Sequence, residues 1–280
     1  MRYRAKELKQ NVNVSRTSPI KELFILLGGV LGILIAVYAA LGFAVDLVVP
    51  KLPSSIEQSL GRLYSGIYDD TDETPAEAQL QKILDRLSAA SGDTEIKYKV
   101  HIVLNPQANA LALPGGNIIV FSRLIEETAS ENELAFVLAH ELGHFANRDH
   151  LRGLGRGLVL LTISAALLGA DSSATNFIMN SLQNVEMKFS QRQEQAADLW
   201  ALDLLNKTYG HVGGATDFFE HMSKNDKRGR IRYYFATHPH PENRIRVLRK
   251  NILKKAYLEK EKTALDRPLS KLVTTPGRTN

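Results

Sequence analysis

Residues 130–150 read SENELAFVLAHELGHFANRDH, with His140-Glu141-Leu142-Gly143-His144 at the centre. Ser130 and Glu133 have the spacing of a capping box, so a helix starts here. Leu134, Val137, Leu138, Leu142 and Phe145 recur every three or four residues, which predicts a buried apolar stripe. His140 and His144 are one turn apart and project from the same side. Two imidazoles so placed suit one Zn²⁺, with Glu141 between them able to reach a metal-bound water. Gly143 costs about 1 kcal/mol relative to Ala in a helix interior. A close approach by another element is the expected reason for it.

Working outward, composition sets the limits. The chain has 280 residues, 44% of them apolar, enough for one moderate domain with appendages. The net charge of +5 is small and scattered, and no nucleic-acid motif is present. There is no cysteine. Disulfides and thiolate ligands are therefore excluded, and any metal must be held by His and carboxylate.

Five stretches follow in order. Residues 1–22 are polar and basic, with Arg2, Arg4, Lys6, Lys9, Arg16 and Lys21 against Glu7 and Glu22. Residues 23–45 carry no charge and are long enough to cross a bilayer as a helix. No small-x-small cleavage site follows, which argues against a removed signal peptide. The basic flank predicts a cytoplasmic N-terminus, with the rest of the chain outside the cell membrane, in the periplasm where there is one. Residues 46–74 read as a connector with a short helix near Ile56–Tyr64. Residues 75–258 read as the main domain and 259–280 as a loosely ordered polar tail.

Within the main domain, Thr74, Pro75 and Glu77 open a helix and Gly92 can close it. Residues 97–104 alternate like a strand. Asn109 to Phe121 reads as a β-hairpin turning at Pro114-Gly115-Gly116. It reads equally as an ordinary surface hairpin and as an edge strand that pairs with an extended peptide. Residues 153–170 are apolar over about fourteen positions, short for a span. If a further metal ligand lies beyond them, one crossing here would separate the ligands. An apolar helix near the membrane or capping the core is preferred, with half of a re-entrant hairpin as the alternative.

In the helix from Lys188 to Leu205, Glu194 and Asp198 are one turn apart. A separate-helix Glu is a frequent third ligand of a two-His zinc site, and an Asp can fix the tautomer of a ligand imidazole. Thr237-His238-Pro239-His240-Pro241 precedes a last helix. His238 is placed to donate to an oxyanion, while His240 reads as a cap or solvent-facing residue.

Four blocks in order carry a resemblance to the M48 zinc metallopeptidases, spanning roughly residues 75–258. NALALPGGNIIV resembles the family's NA-x-A-x-PGG-x-I-x-V hairpin, HELGH its zinc helix, SQRQEQAAD its SR-x-x-E-x-x-AD segment and THPHPENRI its THP-x-x-x-x-RI segment. One departure is visible: Gln191, not Arg, follows Ser190, which leaves the role of Arg192 open. The resemblance implies an α+β, mainly helical gluzincin fold with a small sheet, here after one transmembrane helix. It implies that His140, His144 and Glu194 hold a single zinc, that Glu141 is the base, that Asp198 supports a ligand and that His238 lies near the oxyanion. The hairpin residues Asn109, Ala110, Ala112, Gly115 and Gly116 would line the substrate. The expected activity is endoproteolysis of unfolded or misassembled polypeptides at a bacterial cell membrane, contacted through residues 23–45. A membrane-anchored chaperone or scaffold with a structural zinc is the alternative. A prenyl-protein peptidase would need a chamber of several spans.

Overall fold

A computed structural model describes residues 18–62, 64, 74–93, 96–183, 189–220, 232–239, 241–265 and 269. The basic segment 1–17, connector residues 65–73, His240 and the tail from 270 onward lie outside the described residues.

In chain order the elements are α1 (Pro19–Val48), a 3₁₀ turn (Val49–Lys51), α2 (Ser54–Gly61), α3 (Pro75–Ser91), β1 (Lys99–Val103), β2 (Ala110–Leu113) and β3 (Asn117–Phe121). They continue as α4 (Ser122–Glu127), α5 (Glu131–Ala146), α6 (Asp149–Leu168), α7 (Ser173–Gln183), α8 (Gln191–Tyr209), α9 (Arg232–Thr237) and α10 (Pro241–Lys255). The architecture is mainly helical with one small sheet, as the motifs imply. The sheet order is β1-β3-β2. β3 runs parallel to β1 and antiparallel to β2, with Ala110 opposite Val120 and Leu113 opposite Asn117. Among the described residues β2 therefore has a sheet neighbour on one side only.

The core sits around α5. Every residue from Asn132 to Phe145 is buried, so the helix is covered all round and not only along the expected stripe. β2, α3 and α8 pack against it. The start of α3 carries the full predicted capping box: Thr74 Oγ1 accepts from Glu77 N, and Glu77 accepts from Thr74 N. At α5 only half of the box forms. Ser130 accepts from Glu133 N, whereas the Glu133 carboxylate accepts from Ala129 N, one residue earlier.

The connector is packed onto the domain: Val49, Glu57 and Gly61 are buried, and Glu57 pairs with buried His150 at 2.9 Å. Two expectations change. The described part of the tail, residues 259–265, is strapped to the domain and not loose, because Thr263 O accepts from Glu131 N and Thr263 N donates to Asn132 Oδ1 at the start of α5. Finally, α6 does not cap the core. Beyond Leu154 only Ser164 is buried, and the distal half leaves the domain. By length and composition both the helix of residues 19–51 and α6 can cross a membrane.

Candidate metal centre

Four elements converge on one point. α5 brings His140, Glu141 and His144, α8 brings Glu194 and Asp198, the residue after α9 is His238, and the first turn of α10 brings Arg244. All seven are buried. α5 and α8 approach so closely that a Cβ on Gly143 would lie 2.9 Å from Ala197 Cα. That close approach is what the glycine inside the zinc-type helix predicts.

The ligand atoms of His140, His144, Glu194 and His238 all lie within 4.8 Å of one another. His140 Nε2 and His144 Nε2 are 3.1 Å apart, and each is 3.5 Å from an oxygen of Glu194. Atoms about 2.0–2.1 Å from a tetrahedral zinc lie roughly 3.3 Å apart, so the spacing fits the ion. The outer nitrogens point to carboxylates. His140 Nδ1 is 2.9 Å from Asp198 Oδ1, and His144 Nδ1 is 3.0 Å from Asp149 Oδ2. These contacts fix the tautomers that turn both Nε2 atoms inward.

Charge argues the same way. The centre holds four buried carboxylates, Glu141, Asp149, Glu194 and Asp198, and one buried guanidinium, Arg244, which pairs with two of them. Arg244 forks onto Asp198 at 2.6 and 2.8 Å, and its Nη1 lies 2.7 Å from Glu194 Oε2. Burial opposes the charged forms of Glu194 and Asp198. His238 and Arg244 beside Glu194, and Arg244 beside Asp198, outweigh it and hold both carboxyls below the usual range. Burial also opposes a charged His144, but the hydrogen bonds its ring donates to Asp149 and Glu194 raise it to about 9. Burial, with Arg244 nearby, pushes His140 down. A dication seated among the Nε2 atoms would displace the His144 proton and balance the carboxylates.

Among the described residues neither oxygen of Glu141 has a hydrogen-bond partner, nor does His238 Nε2, which lies 3.9 Å from Glu141 Oε1. Orphaned buried polar atoms are rare. Here three of them face one another beside the ligand cluster.

The sequence pattern of peptidase family M48 matches residues 75–252, a stretch that contains every residue of this centre. The chain belongs to peptidase family M48. Among curated relatives of this M48 chain, mitochondrial metalloendopeptidase OMA1 of Schizosaccharomyces pombe is 28% identical over 178 residues, covering 62% of this chain and 52% of that one. Metalloprotease LoiP of Escherichia coli is 29% identical over 184 residues, covering 62% of this chain and 71% of that one. Metalloprotease YcaL of the same organism is 30% identical over 186 residues, covering 62% and 69% respectively. The aligned stretch thus spans about half of the OMA1 relative.

Most of the residues singled out in the sequence meet at the M48 centre. Asn109, at the foot of β2, is buried and accepts from Thr237 Oγ1 at 3.4 Å, tying the hairpin to the loop that carries His238. Ala110 and Ala112 lie in β2. Gly115 and Gly116 do not join the centre: added Cβ atoms there would meet Gly61 Cα and Lys97 O. Arg192 is exposed. Two partners of the centre were not assigned from sequence. Asp149 holds His144, and its other oxygen accepts from Gln193 Nε2. An acid at a helix start reads as an ordinary capping choice, so nothing marked it. Arg244 did leave a signal. It falls at i, i+4, i+8 with Leu248 and Ile252 on the buried face of α10, where an unpaired charge is not tolerated.

Proposed function

We propose that this M48 chain is a membrane-anchored zinc endopeptidase acting on unfolded or misassembled polypeptides. One observation carries the reading: a buried His-His-Glu donor set of zinc spacing lies beside a buried Glu141 carboxylate with no hydrogen-bond partner. A purely structural zinc site needs no free carboxylate next to its ligands, which disfavours the scaffold alternative.

His140, His144 and Glu194 would hold the zinc, with Asp198 orienting His140 and Asp149 orienting His144. Bound there, the metal would supply Lewis acidity toward water and a carbonyl. Glu141 takes a proton from the attacking water and delivers it to the leaving amine. His238 donates to the carbonyl oxygen as charge builds on it. Stacking of its ring on Tyr234, with centroids 4.7 Å apart, holds it in place. β2 offers an extended substrate a strand partner, with Asn109, Ala110 and Ala112 at the end nearest the centre.

α1 is the membrane anchor in this reading. Its basic N-terminal flank supports a cytoplasmic N-terminus in a bacterial cell, with the M48 domain on the outer, periplasmic side. The test uses the full chain in detergent with unfolded casein, with and without chelator, beside Glu141→Gln. Cleavage by the zinc-loaded protein, lost with chelator and reduced about 10²–10⁴-fold in Glu141→Gln with zinc still bound, is the expected result. Equal turnover by the variant removes Glu141 from the mechanism.

A further inference from the structure

We infer that α6 and α7 form a re-entrant hairpin that enters the bilayer from the face on which the M48 domain sits, packed against α1. The inference rests on the reading of α1 as the anchor. α6 starts beside the end of α1 and runs back along it. Arg148 Nη1 donates to Val49 O and Leu52 O, at 3.0 and 2.6 Å. Arg156 forks onto Asp46 at 2.7 and 2.9 Å. A Cβ on Gly155 would touch Val45. On α1 only Leu34, Gly42, Val45 and Asp46 are half-buried among otherwise exposed residues, and they define the side turned toward the hairpin.

Past the Asp46–Arg156 pair the surface changes character. Between Arg156 and Gln183 the sole charge is Asp171, at the tip beside the start of α7, where free amides favour a carboxylate. Leu158, Leu160, Leu167, Leu168, Phe177 and Met179 are exposed, Leu168 at 62% and Phe177 at 70%. Among the hydroxyls, Ser164 and Thr175 are buried between the two helices, while Thr162 is exposed but bonded to its own helix. Thr162 donates to Leu158 O, Ser164 pairs with Thr175, and Thr175 donates to Gly169 O. Pairing of these hydroxyls within the hairpin suits a hydrocarbon surrounding, while the exposed polar side chains of α7, Ser173, Asn176 and Asn180, share its surface with Phe177 and Met179. At 1.5 Å per residue the distal half of α6 reaches about 18 Å beyond Arg156, short of a full crossing. A return through the same face is required, because Glu194 after the hairpin meets His144 before it within 4.8 Å.

The absence of cysteine makes a direct test available. Single variants of the full chain, Leu167→Cys, Phe177→Cys, Ile33→Cys in α1 and Leu253→Cys on the exposed side of α10, are labelled with an environment-sensitive fluorophore. They are reconstituted in phosphatidylcholine–phosphatidylglycerol vesicles with brominated acyl chains. Probes at 167 and 177 are expected to be quenched as strongly as at 33, with none of that quenching at 253. Labelling by a water-soluble maleimide is expected to be roughly tenfold slower at 167 and 177 than at 253, water being excluded from the hydrocarbon core. If 167 and 177 behave like 253 while 33 is quenched, the hairpin proposal falls and the anchor stands. If 33 is also unquenched, the anchor reading itself fails. Slow labelling at 167 and 177 without bromolipid quenching shows a protein cover, such as a second copy, and overturns the proposal.

Discussion

The two ends of α6 sit in opposite environments. Its first residue, Asp149, is buried and shares its carboxylate between His144 and Gln193. Its last apolar residues, Leu167 and Leu168, are 55% and 62% exposed and touch little protein. At one end polar groups are removed from water and have to be paired by the fold. At the other, apolar groups are left without a protein cover. The metal centre is therefore expected to respond strongly to small chemical changes, and the hairpin hardly at all so long as detergent or lipid surrounds it.

The largest test of that contrast is Arg244→Leu. It leaves Glu194 and Asp198 buried without their guanidinium, and removing one partner of such a network costs about 3–5 kcal/mol. The thermal midpoint of the chelated protein is expected to drop accordingly, and by less when zinc is bound, since the dication offsets part of the carboxylate charge. A loss under about 1 kcal/mol in the chelated protein would show the carboxylates to be solvated and would break the comparison at its buried end.

Next is Gly143→Ala. The new methyl group meets Ala197 backbone, and overpacking of this kind costs roughly 1–3 kcal/mol. Because Ala197 lies between Glu194 and Asp198 on α8, the strain should weaken zinc binding as well as stability, read together by competition with a chromogenic chelator and by thermal melting. Unchanged zinc affinity would mean that α8 moves as a unit without disturbing Glu194.

Gly143 also shows how far the sequence could be read. A glycine between two metal-type histidines told of a helix crossing, and the crossing is there. Thr74 and Glu77 gave a helix start by purely local chemistry, and so did the turn at Pro114-Gly115-Gly116. Less legible were contacts whose partners are distant in sequence. Asp149 is ordinary until the end of α5 turns His144 onto it. Residues 259–265 look like a polar tail until Thr263 and Asn132 pair across 131 positions. The distal part of α6 looked too short for a span and so read as a helix either near the membrane or capping the core. Periodicity cannot say whether an apolar helix is covered by protein or left bare.

Asp149→Asn probes the end of α6 that the sequence hid, with a smaller expected effect. Loss of a carboxylate partner of a metal-bound His typically lowers metal affinity 10–100-fold, about 1.4–2.7 kcal/mol. The pH dependence sharpens it. In the chelated protein His144 is raised from 6.5 to about 9, by hydrogen bonds it donates to Asp149 and Glu194 that outweigh burial. A raised folded-state pKa means the stabilisation is full below pH 6.5 and is lost as pH rises through about 9. The chelated parent should therefore lose stability across that window. Chelated Asp149→Asn should lose less, and the zinc-loaded parent should show almost none of it, since a metal-bound imidazole does not carry that proton. Parallel melting curves for chelated parent and variant from pH 6.5 to 9 would remove Asp149 from the support of His144.

The smallest effect is expected at the bare end. Leu168→Ala trims a side chain that is 62% exposed. In detergent it should change stability by no more than about 0.5 kcal/mol, the usual range for surface positions. Leu138→Ala in α5 removes a comparable volume from a site with no exposure, and truncations there cost about 2–5 kcal/mol. The two variants differ in place and not in chemistry, so their ratio measures how much protein covers each leucine. A loss near 2 kcal/mol at Leu168 would show that the hairpin packs against protein in solution. The exposed apolar face would then belong to an assembly of chains, and the contrast between the two ends of α6 would disappear.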